Sequence, residues 1–491
     1  MTGNMNEATL ITFIIYLIAM LVIGFVCYRL TNNLSDYILG GRNLGPGVTA
    51  LSAGASDMSS WLLLGLPGSA YLTGMNALWI TTGLAIGAYL NWQLVASRLR
   101  IYTEVANNSI TIPHFLENRF KDQSKVLRVT SAVVILFFFT LYISSGMVGG
   151  AILFESSFGL SYTTALWIGA IVIVSYTFLG GFLAVSWTDF VQGILMFLAL
   201  IIVPIVAIME IGGIGETIDR VAAIDTTLLD AAAGTTFIGV ISLLAWGLGY
   251  FGQPHILARF MAIQSVKQIP KARFIGMSWM ILASLGAIII GFVGIAYFAD
   301  APLDNHETVF IQFTQVLFHP WVAGFLLAAI LAAIMSTIDS QLLVSSSAVV
   351  EDFYKSLLNK KASDRELVWI SRFAVVLIAL IAILLADNPD SSVLELVSYA
   401  WAGFGAAFGP VILFSLFWKR MNGSGAVAGL FVGAVTVVIW KNAEGGIFDL
   451  YEIVPGFVFA SLVIVMVSLV GEKPSKEMQS DFSQVIQQMK Q

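Results

Sequence analysis

Asp57 lies inside a long run of apolar and small residues, Gly47-Val-Thr-Ala-Leu-Ser-Ala-Gly-Ala-Ser-Asp-Met-Ser-Ser-Trp-Leu-Leu-Leu-Gly-Leu-Pro67, with no basic residue between Arg42 and Arg98. A carboxylate at membrane depth costs roughly 2.5–3.5 kcal/mol on insertion scales unless a partner or a water-filled cavity receives it. The chain around it supplies Gly, Ala and Ser, so the backbone can approach a ligand closely. Together these features point to a solute or ion site within a membrane. A second stretch, Ala328–Ser347, sets Ala333, Ser336 and Thr337 at i, i+3 and i+4, on one helix face. One carbonyl and two hydroxyls so placed offer neutral oxygens to a hard cation, and a half-broken partner helix can add freed carbonyls. Ser336, Asp339 and Ser340 repeat the spacing on an adjoining face and add a charge. The competing account of such hydroxyls is bonding back to the preceding turn or packing between helices.

Other polar residues in apolar surroundings have two readings each. Asp189, in the run Thr177–Gln192, reads either as a site carboxylate or as a helix-start acid favoured by the dipole. Arg259 and Asp352 lie near predicted membrane ends and read as snorkelling or capping residues. Trp246 and Tyr250, four apart, suggest an aromatic wall or simple packing. No phosphate-cradling loop, Ser/His/Asp set or HExxH arrangement occurs, so the chain is read as a non-enzyme and transport would be ion-driven or passive. The single Cys27 and the scattered His114, His255, His306 and His319 exclude an internal disulfide and show no metal-ligand spacing.

The elements that must position these residues are membrane helices. Of 491 residues, 58% are hydrophobic and 11% charged, with mean hydropathy +0.87, where soluble domains carry about 25% charge. About thirteen apolar runs, here spans 1 to 13, lie near 8–28, 47–73, 76–97, 127–150, 162–183, 189–212, 236–258, 274–298, 320–349, 367–386, 393–418, 424–440 and 453–471. The expectation is one membrane domain over 1–491, embedded over about 8–471, with a cytoplasmic tail at 472–491. If span 1 leads inward, 22 Lys and Arg fall on the cytoplasmic side and only Arg220 and Lys441 outside. That bias puts the N-terminus outside and the C-terminus inside. Acids crowd the outer loops, among them Glu216, Asp219, Asp225, Asp230, Asp300, Asp304 and Glu307. Span 1 lacks a basic leader and follows Glu7, so it reads as a retained helix.

Two spans are interrupted. Span 2 contains Gly54, Gly65, Pro67 and Gly68, and span 7 reads Trp246-Gly-Leu-Gly-Tyr-Phe-Gly-Gln-Pro-His255. Such backbone is tolerated at membrane depth where it lines a cavity or is buried in protein. Paired interrupted spans at matching positions of two halves point to a transporter site. These two are five spans apart, which suggests five-helix repeats over 47–212 and 236–418.

Several segments resemble the sodium:solute symporter family: Ser35–Arg42, Ala50–Ser59, Phe182–Asp189, Gly247–Phe260 and Tyr399–Pro410. The resemblance runs from about residue 8 to 475 and is strongest to the bacterial proline-transporting members. It implies an all-α, leucine-transporter-like fold of five-plus-five inverted repeats with broken helices 2 and 7. It further implies sodium-coupled import of proline by alternating access in a bacterial cytoplasmic membrane. Its main sodium site would fall on Ala55, Met58, Ala333, Ser336 and Thr337, with Asp57 coupling sodium to substrate. Proline would meet Ser59, Ser60, Tyr142, Trp246, Tyr250 and Pro254. Ser60 stands where relatives often carry Gly, and Asp339 where some carry a neutral hydroxyl residue. Asp189, Ser336, Asp339 and Ser340 are where family members with two sodium ions hold the second, so a second cation or a proton is expected there. Sodium, the solute and the lipid bilayer are the expected partners, with no nucleic acid. The alternatives are symport of another amino acid, a sugar or pantothenate, a transporter-like membrane sensor, or a passive channel.

Overall fold

Backbone at membrane depth has no water to bond with, so helices are the solution open to a chain of this composition. The computed structural model describes residues 2–29, 34–177, 181–359 and 361–490, and these are helical from end to end. The described residues contain no β-strand, only an isolated parallel bridge between Leu44 and Ile263. Nine described helices are long and apolar enough to cross a membrane, and a tenth if the bent pair Phe237–Gly252 and Pro254–Ala262 counts as one. The expected thirteen are therefore not met as thirteen unbroken spans. Span 2 is split into Pro46–Asp57, Trp61–Gly65 and Leu66–Thr73. Span 3 runs as Leu78–Leu90 and Ala96–Val105 joined by a π-turn over Asn91–Val95. Span 5 is the short helix Tyr162–Thr177, and residues 178–180 of its predicted end lie outside the described residues.

Burial sorts the spans into layers. In their apolar windows, Pro320–Leu358 and Val393–Phe417 (spans 9 and 11) are 83% buried, against 33% for spans 1, 12 and 13. The outer helices turn side chains such as Ile14, Ile18, Val22 and Phe25 outward. Apolar exposure on this scale is what a lipid-facing surface requires.

The broken span 7 is packed backbone to backbone. A Cβ on Gly87 of span 3 would stand 2.1 Å from the Gly247 carbonyl oxygen, and one on Gly83 2.2 Å from that of Leu244. On the other side, a Cβ on Gly249 would meet Trp401 Nε1 at 1.9 Å, and one on Gly252 the Phe404 carbonyl at 2.2 Å. These glycines are there to let spans 3 and 11 touch the unwound segment.

At the rims one sequence expectation is corrected, and one loop acid proves buried. Asp352 is neither a snorkelling nor a capping residue: it is fully buried and paired with Arg128 at 2.7 Å. Arg128 also holds Glu117 at 2.7 Å and Glu351 at 3.4 Å, so one guanidinium gathers three carboxylates at the start of span 4. Glu307, placed among the outer-loop acids, is 2% exposed. Its carboxylate accepts from Val393 N (2.9 Å), Leu394 N (3.0 Å) and Ser392 Oγ (2.9 Å), capping the first turn of span 11. The tail is folded as well: Lys476–Gln488 buries Met478, Phe482 and Val485. Lys121 bridges its Glu477 and Asp481, each at 2.9 Å. Partial desolvation opposes the Lys121 charge, and Asp481 and Glu477 more than offset it, so this ammonium titrates above its ordinary value.

The glycine contacts give a first expectation. Gly87→Ala forces two backbones apart and should cost about 1–3 kcal/mol, as overpacking does. The variant should show a lower unfolding temperature in detergent, and one as stable as the parent would refute the contact.

Candidate functional site

Span 2 stops being helical just where its sequence turns polar. The helix Pro46–Asp57 ends at Met58 (φ −83°, ψ 61°), whose N–H closes on the Gly54 carbonyl. Ser59 N then bonds to the Asp57 carbonyl at 3.0 Å. Carbonyls of a last turn have no acceptor role inside their own helix and need outside donors. Span 9 supplies them: Ser336 Oγ donates to the Ala55 carbonyl at 2.8 Å and Thr337 Oγ1 to the same oxygen at 3.5 Å. Ser336 Oγ also reaches the Ala333 carbonyl at 3.1 Å, the back-bond that the packing account expects. Ala55, Ala333, Ser336 and Thr337 are thus brought together, and Met58 is fully buried at the break beside them.

Asp57 faces the other broken helix. Its Oδ2 accepts from the Tyr250 hydroxyl at 2.5 Å, and its carbonyl accepts from Trp61 Nε1 and from the Tyr142 hydroxyl, both at 3.4 Å. Ser59 Oγ accepts from Trp61 N at 3.4 Å. Ser60 is fully buried against Gly149 of span 4, where a Cβ would stand 2.8 Å from the serine side chain. The extra atoms at Ser60 are therefore matched by a missing side chain opposite.

The expected Trp246/Tyr250 wall does not form. Ala245–Gly252 is a 3-10 helix, with three residues per turn, so positions four apart leave a shared face. Trp246 instead packs against Trp61 (6.0 Å between centroids) and Tyr451 (5.7 Å), while Tyr250 meets Trp401 edge-on at 5.1 Å. Pro254 opens the helix Pro254–Ala262 and lines a small cavity on the Asp352 side, away from those rings.

Asp189 and Arg259 form the strongest charge feature. Asp189 lies two turns inside the helix Phe182–Ile211, so it is not a helix-start acid. Arg259 is fully buried, so it does not snorkel either. Its Nη2 lies 3.1 Å from Asp189 Oδ2 and 2.5 Å from Ser340 Oγ, and its Nη1 donates to the His255 carbonyl at 3.0 Å. Ser52 Oγ donates to Asp189 Oδ2 at 2.7 Å and accepts from Arg259 Nε at 3.0 Å. Ser340 Oγ in turn donates to the Ser336 carbonyl at 2.9 Å. A hydrogen-bonded path therefore runs from Arg259 to the Ala55 cradle. Asp339 is fully buried on the same span.

Sequence reasoning missed Ser52, Trp61, Trp401 and the pairing of Arg259. The pairing had a signal: an isolated basic residue and an isolated acid, each in an apolar span, seek each other. Removing one partner of a buried pair leaves an uncompensated charge, at a cost of about 3–5 kcal/mol. Asp189→Asn and Arg259→Gln should each lower the unfolding temperature in detergent, and the double variant should recover most of the loss. Additive losses would refute the coupling.

Comparison with known proteins agrees with this architecture. The sodium:solute symporter family model matches residues 37–433. The chain is 57% identical over 480 residues to the sodium/proline symporter of Salmonella typhimurium, covering 96% of this chain and 95% of that protein. It is 58% identical over 467 residues to the high-affinity proline transporter PutP of Bacillus subtilis, covering 94% and 98%. The osmoregulated proline transporter OpuE of the same species is 54% identical over 476 residues, covering 96% of each chain. Among solved structures, a Na+-coupled sialic acid symporter in a substrate-bound outward-open state superposes with a TM-score of 0.80 at 20% identity, covering 96% of this chain and 99% of that one. The fold is the all-helical leucine-transporter-like one. With a family match over most of its length and relatives above half identity, this multi-pass membrane protein belongs to the sodium:solute symporter family.

Proposed function

We propose that this chain is a secondary active transporter, not an enzyme, that carries L-proline into a bacterial cell with sodium by alternating access. The observation that carries the reading is the Ala55 carbonyl, freed at a broken helix and held 2.8 Å from the Ser336 hydroxyl of span 9. Sodium entering among the Ala55, Met58 and Ala333 carbonyls and the Ser336 and Thr337 hydroxyls would replace those bonds with ion contacts, tying span 2 to span 9 through charge. Asp57 couples this to the solute because its carboxylate holds Tyr250 of the other broken helix. Proline would lie among Ser59, Ser60, Tyr142, Trp246 and Tyr250, its carboxylate toward a half-helix N-terminus and its ring and secondary ammonium against aromatic faces, with Pro254 left outside this group. The names of the similar proteins support proline over another amino acid, a sugar or pantothenate.

The arrangement is a single transport domain with repeats over 47–212 and 236–418 and a cytoplasmic tail at 472–491. It sits in the cytoplasmic membrane with the N-terminus outside, as the 22-to-2 distribution of Lys and Arg favours. A second reading adds a further cation or proton at Asp189, Ser336, Asp339 and Ser340. It is favoured by Asp339 and Ser340 lying fully buried at i+3 and i+4 from Ser336. Arg259 already lies against Asp189 and Ser340, so this second cation would have to displace or share its contacts.

Radiolabelled proline uptake into proteoliposomes tests the main reading: an inward sodium gradient should drive accumulation, and excess sugar or pantothenate should not compete. Uptake indifferent to sodium would end it. Ser336→Ala and Thr337→Ala should each raise the sodium concentration for half-maximal uptake by about tenfold or more, the size of one lost ligand contact. Unaltered sodium dependence would remove the site assignment. For the second cation, the number of sodium ions per proline should fall in Asp339→Asn, and a ratio of one in both proteins would discard it.

A further inference from the structure

Asp57 has a second oxygen that the coupling role does not use. Oδ2 is held by Tyr250, but Oδ1 is fully buried with no hydrogen-bond partner in the protein. Asp57 lines a small chamber of about 20 Å3, together with Met58, Asn91, Tyr250, Gly276 and Met280. The same chamber is lined by Asn91 of span 3, 1% exposed, whose Nδ2 donates to the Tyr250 carbonyl at 2.9 Å. That bond fixes the amide orientation, since only the NH2 side can serve a carbonyl. Asn91 Oδ1 is therefore a second buried acceptor with no donor in the protein. Leaving such acceptors unmet is costly, and nothing else lining the chamber supplies a side-chain donor to either oxygen. Asn91 also begins the π-turn Asn91–Val95, a local distortion that is frequent at functional sites.

We propose that the chamber binds one water molecule that donates one hydrogen to Asp57 Oδ1 and the other to Asn91 Oδ1. The volume holds one water, for which about 10–15 Å3 suffices, and the two acceptors match its two donors. A metal ion fits less well, because two side-chain oxygens fall short of the coordination a hard cation takes. Asn91 is then a positioning residue: it holds the Tyr250 backbone directly and the Asp57 carboxylate through water. Span 3 joins the two broken helices in one network.

The inference rests on sodium-coupled transport, so its test separates the two. Gly276→Ala places a methyl 3.7 Å from Ala50 Cβ and from Trp92, both on the chamber wall, in ordinary contact with each. The methyl adds bulk to a residue that lines the chamber, and its three nearest atoms belong to Ala50 and Trp92, not to Asp57 or Asn91. With wild-type uptake sodium-dependent, this variant should raise the sodium concentration for half-maximal uptake about tenfold. Its proline constant at saturating sodium and its unfolding temperature should stay at wild-type values. An unchanged sodium constant overturns the positioning role, as does a loss confined to stability and maximal rate. A structure at a resolution that shows ordered water should place density within hydrogen-bond distance of both acceptors. A chamber with no density there, or a direct contact between the two side chains, overturns the site. Wild-type uptake indifferent to sodium would instead sink the transport reading, and the density alone would then decide the water.

Discussion

Breaking a helix inside a membrane frees backbone carbonyls and amides that lipid cannot satisfy, and the centre of this protein is arranged around that constraint. Each break is met by side-chain donors, most of them from another span. Ser336 and Thr337 serve Ala55, Trp61 and Tyr142 serve Asp57, Asn91 serves Tyr250, and Trp401 Nε1 serves Trp246 at 2.7 Å. Gln253, at the break in span 7, donates back to the Trp401 carbonyl. The breaks are thus held open by polar side chains rather than by the helices' own backbone bonds. A carbonyl held by a hydroxyl rather than by its own helix is one that a cation can take over without unfolding anything.

The buried charges obey the same accounting of unmet groups. Asp189 and Arg259 neutralise each other with Ser52 between them, and Arg128 gathers Glu117, Glu351 and Asp352 at the start of span 4. Each cluster joins spans distant in sequence. The first links the start of span 2 to spans 6, 7 and 9, and so touches both broken helices and the span that faces them.

Much of this was legible in the chain itself. Apolar runs separated by alternately basic and acidic connections announced the spans, and Gly and Pro inside spans 2 and 7 announced the breaks. The i, i+3, i+4 spacing of Ala333, Ser336 and Thr337 put three oxygens on one face, and the fold brought that face to Ala55. What stayed hidden depended on local geometry or on pairing at a distance. Helical spacing misplaced Trp246 relative to Tyr250 because the segment is wound as a 3-10 helix. Arg259, Asp352 and Glu307 looked peripheral because position along a span says nothing of which neighbour covers it. Asn91 carried no mark at all, since a lone amide in span 3 gains meaning only beside the Tyr250 carbonyl.

The glycine seam between spans 3 and 7 has a mechanical consequence. Gly83 and Gly87 lie so close to the Leu244 and Gly247 carbonyls that no side chain cushions the two backbones. Sliding one past the other would drive atoms into overlap, because close-packed contacts are bistable and do not deform smoothly. Span 3 and the segment Phe237–Gly252 of span 7 are therefore locked together at this seam. Any bend within span 7 has to lie elsewhere, and the kink at Gln253, where the chain turns by 47°, is where the unwound segment meets the helix that follows it.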